Sequence, residues 1–137
     1  MADSPEEFAK KVEEFNRKAK EKAVRQLKRV SLKAFQLIVQ RTPVLTGCAR
    51  GNWRVNFGPT PLRTFEVNQT DQNGNATLSE GSQQIMGNAQ LGVRINIVNS
   101  APYIQRLEHG YSVQSPNGMV HITVDEIKAE LGKTTQF

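Results

Sequence analysis

Apolar residues recur every three or four positions along the first forty residues of the chain. Ser4 suits an N-cap, Pro5 suits the first helical position, and Glu7 completes a capping box. The apolar series advances by 29 positions in eight steps, close to the helical period, and consists of Phe8, Val12, Phe15, Ala19, Ala23, Leu27, Val30, Ala34 and Leu37. Because Thr42-Pro43 then interrupts the pattern, the sequence predicts one helix over residues 4–41.

This predicted helix is longer than the domain that can be built around it. About 37 residues at about 1.5 Å each extend over about 55 Å. A compact chain of this size has a diameter of about 37 Å. The helix must kink, protrude from the body, or lie across another molecule, so its apolar stripe already suggests assembly with a partner.

The remaining pattern predicts a small sheet with short helices. Trp53, Val55 and Phe57 alternate with polar residues and predict a strand with Trp53 in the core. A cleaner alternation predicts a second strand over 91–97, and a short strand is expected over 64–68. Short helices are expected over 77–86 and over 101–108, the latter capped by Ser100 and ended by Gly110.

Residues 119–131 fit two patterns. Val120, Ile122 and Val124 fit a strand, whereas the longer series Val120, Val124, Ile127 and Leu131 fits a helix and is favoured. The predicted fold class is α+β, with a long N-terminal helix packed on a small, mostly antiparallel sheet. We predict a single domain over 1–137, with the helix at 4–41, an α+β body at 42–131 and a frayed tail at 132–137.

Charge is unevenly distributed along the 137 residues. The chain has 18 basic and 13 acidic residues, and the whole excess lies in residues 1–41, which hold 11 basic and 6 acidic ones. A basic helix stripe is formed by Lys18, Lys22, Arg25, Arg29 and Lys33. This stripe is predicted to meet acidic surfaces of neighbouring proteins. The alternative is a DNA-binding or assembly-chaperone module that uses the same basic helix.

Candidate chemistry is sparse. His109 and His121 have no second ligand at metal-binding spacing, and the single cysteine, Cys48, has no base placed to activate it. The glycines form no phosphate-binding loop, and no apolar run reaches the roughly 18 residues of a membrane span. We predict a soluble protein that is not an enzyme and has no catalytic residues, metal or cofactor.

Two segments together resemble a known family. The first reads TPVLTG at 42–47 and RGNW at 50–53, and the second reads NSAPY at 99–103, LEHG at 107–110 and SVQSPNGMV at 112–120. Their order and spacing resemble the tail-completion, or head–tail neck, proteins of long-tailed bacteriophages. The motif positions to which we assign structural roles are Pro43, Gly47, Trp53, Pro102, Tyr103, Leu107, Glu108, Gly110 and Gly118. Glu108 is expected to pair with an arginine of the same or a neighbouring subunit, such as Arg50 or Arg54.

The resemblance implies a structural protein of the virion at the head–tail junction, made in the host cytoplasm. It would form a homo-oligomeric ring, most simply sixfold, between the head-completion (stopper) ring, the tail terminator and the tail tube. DNA would be near it only incidentally, and no membrane is involved. The expected interface elements are the basic stripe, the loop 112–118 (with Ser112, Gln114 and Asn117) and the loop 71–81. Loops 69–90 and 111–118 are expected to order on docking.

Overall fold

The computed structural model describes residues 4–43, 48–59, 71–99, 101, 104–109 and 118–134. Five helices and two strands follow one another in these ranges. In chain order they are α1 (Pro5–Arg41), α2 (Cys48–Gly51), β1 (Trp53–Phe57), α3 (Asn75–Asn88), β2 (Ile95–Asn99), α4 (Ile104–Glu108) and α5 (Val120–Thr134). The predicted α+β class, with a long N-terminal helix and a small antiparallel sheet, is confirmed.

Helix α1 begins and ends where the sequence predicts. The Glu7 N–H donates to Ser4 Oγ (3.2 Å), and the Ser4 N–H donates to Glu7 Oε2 (3.4 Å), which completes the capping box. Thr42 turns the backbone to an extended conformation (ψ 128°), as expected before Pro43. The helix has 37 residues, so it extends over about 55 Å.

The two described strands pair antiparallel, with Trp53 opposite Asn99 and Phe57 opposite Ile95. The second strand therefore begins at Ile95 and not at Leu91, where the alternation predicted it. Residues 91–94 form a turn in which Gly92 has φ +81°, a conformation that ends strand geometry. The predicted strand at 64–68 lies outside the described residues.

The core lies between the C-terminal half of α1, the sheet, α3 and the start of α5. Its buried members are Phe35, Ile38, Val39, Trp53, Ile85, Ala89 and Met119. On α1 the buried residues are Phe35, Ile38 and Val39, whereas Ala34 and Leu37 of the predicted stripe are only half-buried. Both α3 and α5 pack on this end of α1, so its buried arc is wider than a single stripe.

Helix α3 corrects the expectation of a polar loop over 69–90. Residues 75–88 are helical and contact both α1 and β1, with Thr77, Gly81 and Ile85 buried. Gly81 makes the contact possible, because a Cβ at this position would overlap the Phe35 ring. The predicted helix over 77–86 is confirmed and extends two residues further at each end.

The C-terminal segment is helical, as the longer of its two patterns predicts. Helix α5 continues through Gly132 to Thr134, so the first residues of the predicted tail are part of the helix. Helix α4 is shorter than the predicted 101–108, since it begins at Ile104, and its predicted cap Ser100 lies outside the described residues.

Candidate assembly surface

The N-terminal half of α1, residues 5–22, is exposed to solvent at every position and is called the free half below. Contacts with the body begin at Ala23, where the side chains become half-buried. Phe8 is 63% exposed, Val12 41% and Phe15 72%. Of the three alternatives predicted for this long helix, the structure shows protrusion. Its apolar stripe faces solvent for the first half of its length.

Ion pairs along the helix support the free half in place of tertiary contacts. Arg17 donates to Glu21 Oε1 (2.7 Å) one turn ahead and forms a bidentate pair with Glu14 one turn behind. The Arg17 guanidinium and the nearby Lys18 ammonium, 3.7 Å from Glu14 Oε1, lower the pKa of Glu14. Such pairs stabilise exposed helices modestly, and salt screens them.

The five residues of the predicted basic stripe differ in their surroundings. Lys22, Arg25 and Arg29 are exposed, and within the ranges that the structure describes none of them has an ion-pair partner. Lys18 contacts Glu14 on its own helix, whereas Lys33 donates to Glu130 Oε2 (2.8 Å) on α5. Lys33 therefore holds two helices of the body together, and the free cations of the stripe are the middle three.

A second polar contact joins α1 to α5 near the end of α1. Arg41 donates to Thr123 Oγ1 (2.9 Å) and to Glu126 Oε2 (2.5 Å). Thr123 is fully buried and donates in turn to the Met119 carbonyl (2.6 Å). These bonds fix α5 beside the last turns of α1.

The first family-like segment forms the corner between α1 and the sheet. Trp53 is 4% exposed, as predicted, and its Nε1–H donates to Thr42 Oγ1 (2.7 Å). The Thr42 hydroxyl donates to the Ile38 carbonyl (2.6 Å), so the indole is hydrogen-bonded to the end of the helix. Pro43 is buried beside it, and Gly47 lies outside the described residues.

Arg50 connects this corner to the turn before α3. Its guanidinium donates to the carbonyls of Gln40 (3.1 Å), Thr42 (2.9 Å) and Gln72 (2.8 Å). Burial lowers the pKa of Arg50, and the Asp71 carboxylate partly offsets this effect. Sequence reasoning assigned Arg50 no such role, although its place between TPVLTG and Trp53 marks it as part of the motif.

Within the chain, Glu108 does not pair with Arg50 or Arg54, which corrects the prediction for the same subunit. It lies at the first turn of α5, where its carboxylate accepts from the backbone N–H groups of Met119 (2.7 Å), Val120 (2.8 Å) and His121 (3.1 Å). Burial acts to raise the pKa of Glu108, but these three N–H groups outweigh it and hold the pKa below its usual value. Arg54 instead donates to the carbonyls of Gly51 and Trp53.

Gly118 leaves the space that the Glu108 carboxylate needs. It has φ +76°, and a Cβ there would overlap the backbone carbonyl and carboxylate of Glu108. The carboxylate thus reaches the N-terminus of α5 only because residue 118 has no side chain. Glu108 and Gly118 are ten positions apart in the second family-like segment, and this contact gives a physical reason for their presence there. Leu107, beside Glu108, is half-buried and packs against the core.

The segment 71–81 does not extend toward a partner as a loop. Asp71 Oδ2 accepts from both the Thr77 N–H (2.9 Å) and the Thr77 hydroxyl (2.8 Å), so it satisfies the first turn of α3. A small cavity of about 180 Å³ lies between this helix and β1, lined in part by Trp53, Arg54 and Glu80.

Several predicted site residues lie outside the described residues. They are Gly47, Pro102, Tyr103, Gly110, Ser112, Gln114 and Asn117. In the parts of the chain that are described, no three His, Cys, Asp or Glu side chains form a group suited to a metal ion. No described helix is long and apolar enough to cross a membrane.

Comparisons with known proteins found no match. No family model matches the chain, and neither a curated protein nor a solved structure matches it significantly.

Proposed function

We propose that this chain is a structural subunit of a tailed-phage particle, which completes the tail and forms part of the ring that joins it to the head. The observation that carries the proposal is the free half of α1, which presents Phe8, Val12 and Phe15 to solvent. An apolar stripe of this length is typical of a surface that a partner covers. The resemblance of the two motif segments to neck proteins supplies the identity of the assembly.

The rest of the described chain is consistent with an assembly role. The two family-like segments serve the fold: Trp53 hydrogen-bonds to the end of α1, and Glu108 caps α5. Both contacts fix the body from which α1 protrudes. The middle of the basic stripe, Lys22, Arg25 and Arg29, lies where the helix leaves the body and is available to an acidic neighbour.

The alternative of DNA binding rests on the same three cations. In the free half, six basic residues are balanced by five glutamates, Glu6, Glu7, Glu13, Glu14 and Glu21, so its net charge is only +1. A DNA-binding surface would therefore be limited to about two turns around Arg25. Binding to duplex DNA that falls steeply with rising salt would favour this alternative.

The proposal is tested by locating the protein in purified phage particles. Gold-labelled antibody against a tagged chain, viewed by electron microscopy, is expected at the head–tail junction. Absence of the protein from intact particles would overturn the proposal.

A charge reversal tests whether the basic stripe takes part in the proposed assembly. Arg25→Glu with Arg29→Glu is expected to leave filled heads and finished tails unjoined, because acidic neighbours would be repelled. Lys128→Glu, on the exposed face of α5, is the matched control and should leave the yield of infectious particles unchanged. An unchanged yield in the double variant would exclude the basic stripe from the interface.

A further inference from the structure

We propose that the free half of α1 pairs with the free half of a second copy of this chain. The two helices run antiparallel about a two-fold axis that passes between Val12 and Phe15. This inference rests on the proposed function and deepens it, because it names the occupant of the same helix surface. A two-fold contact joins copies in pairs, so it would act beside the separate contacts that run around a cyclic ring. Its test uses purified protein, so it can succeed or fail independently of the location of the protein in a particle.

The spacing of the exposed apolar residues suits a helix pair. Phe8, Val12, Phe15 and Ala19 follow one another in steps of four, three and four, which is the spacing of the core seam of a coiled coil. All four are exposed to solvent. The seam is therefore already formed on the helix surface and lacks only the second helix.

The sizes of the four residues favour the antiparallel direction. With the axis between Val12 and Phe15, Phe8 packs against Ala19 of the second copy, and Val12 packs against its Phe15. Each of the four layers then combines one aromatic and one smaller side chain, which gives even packing. A parallel pair would place phenylalanine on phenylalanine in two layers and alanine on alanine in another.

The charges favour the same direction. The first turns of the free half carry Glu6 and Glu7, whereas the segment 17–22 carries four basic residues and one acidic one. Antiparallel pairing places the acidic end of each helix beside the basic end of the other and also opposes the helix dipoles. Lys11 and Lys18 of opposite copies approach each other beside the seam, and Glu14, 3.7 Å from Lys18, reduces that repulsion.

The size of the contact sets its strength. The free half has about five turns, so the pair buries less surface than the roughly 1,200–2,000 Å² of a standard stable interface. We expect a dissociation constant in the micromolar range. In an assembly that holds many copies together, repeated weak contacts of this kind become strong through effective concentration.

The oligomeric state of the purified full chain is the first test. Sedimentation equilibrium from about 10 µM to about 1 mM is expected to show a monomer–dimer equilibrium. Phe8→Ser with Phe15→Ser should weaken it at least tenfold without changing the melting temperature of the body, since both side chains are exposed. Met86→Ser removes another exposed apolar side chain, 53% exposed on α3, and should leave the dimer unchanged.

Either of two results would overturn the inference. A monomer at every concentration would show that the free half does not pair with itself. A dimer that persists in the Phe8→Ser/Phe15→Ser variant would place the contact elsewhere on the chain.

Disulfide cross-linking tests the direction of the pair. In a Cys48→Ser background, a tagged Phe8→Cys chain mixed with an untagged Ala19→Cys chain should form mixed dimers on mild oxidation. Dominant 8–8 and 19–19 products would instead indicate a parallel pair and overturn the antiparallel proposal. A dimer whose chain is absent from phage particles would overturn the proposed function alone, and a junction protein that stays monomeric would overturn this inference alone.

Discussion

The two halves of α1 belong to one uninterrupted helix but are stabilised by different interactions. From Ala23 onward the helix is held by burial: Phe35 and Val39 are fully inaccessible to solvent, and both α3 and α5 pack on α1. From Pro5 to Lys22 it is held by a capping box and by ion pairs along its own surface. One half is thus part of a core, while the other exposes its apolar side chains Phe8, Val12 and Phe15 to solvent.

A pair of matched substitutions on α1 should show the difference between its two halves most clearly. Phe35→Ala is expected to lower the free energy of unfolding by about 3–5 kcal/mol, because it leaves a cavity in the core. Phe15→Ala removes the same ring from a position that is 72% exposed and should change the stability of the monomer by less than about 0.5 kcal/mol. Urea denaturation in dilute solution measures both. Equal losses would show that the free half is packed in solution.

The cap on α5 should give the next largest effect. Glu108→Ala removes the acceptor of three backbone N–H groups and is expected to cost about 2 kcal/mol of stability. Glu108→Gln keeps one acceptor oxygen but loses the charge, so its cost should be smaller. Asp125→Asn, on the exposed side of the same helix, is the control. If Glu108→Ala were as stable as the control, the cap would be energetically unimportant.

The same contact predicts a pH dependence with a definite sign. The folded-state pKa of Glu108 lies below its ordinary value of 4.5, so its contribution is complete above that pH. As the pH falls through the folded-state pKa, the carboxylate protonates and the contribution disappears. The stability difference between the wild type and Glu108→Gln should therefore shrink from pH 6 toward pH 3. A difference that stays constant over this range would contradict the assignment.

The ion pair between α1 and α5 should contribute less. Lys33 and Glu130 are both partly exposed, at 42% and 36%, so the pair is expected to be worth about 0.5 kcal/mol. A double-mutant cycle with Lys33→Gln and Glu130→Gln measures the coupling directly. A coupling energy near zero would indicate that the two side chains are solvated separately.

The smallest effect is expected in the free half itself. Arg17→Gln removes the pairs to Glu14 and Glu21 and should slightly reduce helicity before Lys22, with no change in the body. Amide hydrogen exchange, resolved by residue, separates the two regions. If the Phe35 amide also lost protection from exchange, the stability of the two halves would be coupled, and they could not be treated as independent regions.

Features that depend on neighbouring residues in the sequence were predicted correctly, whereas contacts between distant residues were not. The capping box, the end of α1 at Thr42 and the buried Trp53 each depend on neighbours in sequence, and the structure shows them as predicted. The partner predicted for Glu108 within the chain was wrong, because a carboxylate in a sequence suggests an arginine more readily than the backbone of a helix that begins about eleven residues away. The start of β2 was also wrong, since Gly92 breaks an alternation that otherwise fits a longer strand.

For the candidate assembly surface, too, the sequence predicted local features but not long-range contacts. The length of α1 predicted that it would kink, protrude or lie across another molecule, and the structure shows protrusion. The spacing of Lys22, Arg25 and Arg29 predicted a basic stripe, and all three are exposed. That Lys33 would instead pair with Glu130, 97 residues away, was not visible in any local pattern. The helix over 75–88 was predicted two residues too short at each end and within a polar loop. Its polar composition gives no sign that Gly81 packs against Phe35.

The contact of α1 with α5 has a consequence for the order of synthesis. Lys33 and Arg41 leave the ribosome well before their partners Glu130 and Glu126, which lie 97 and 85 residues further along the chain. During translation the apolar side of α1 has no α5 to cover it, and contacts of such long sequence separation also form slowly. We therefore expect the nascent chain to depend on chaperones until its C-terminal helix emerges, and truncation before α5 to yield an aggregating product.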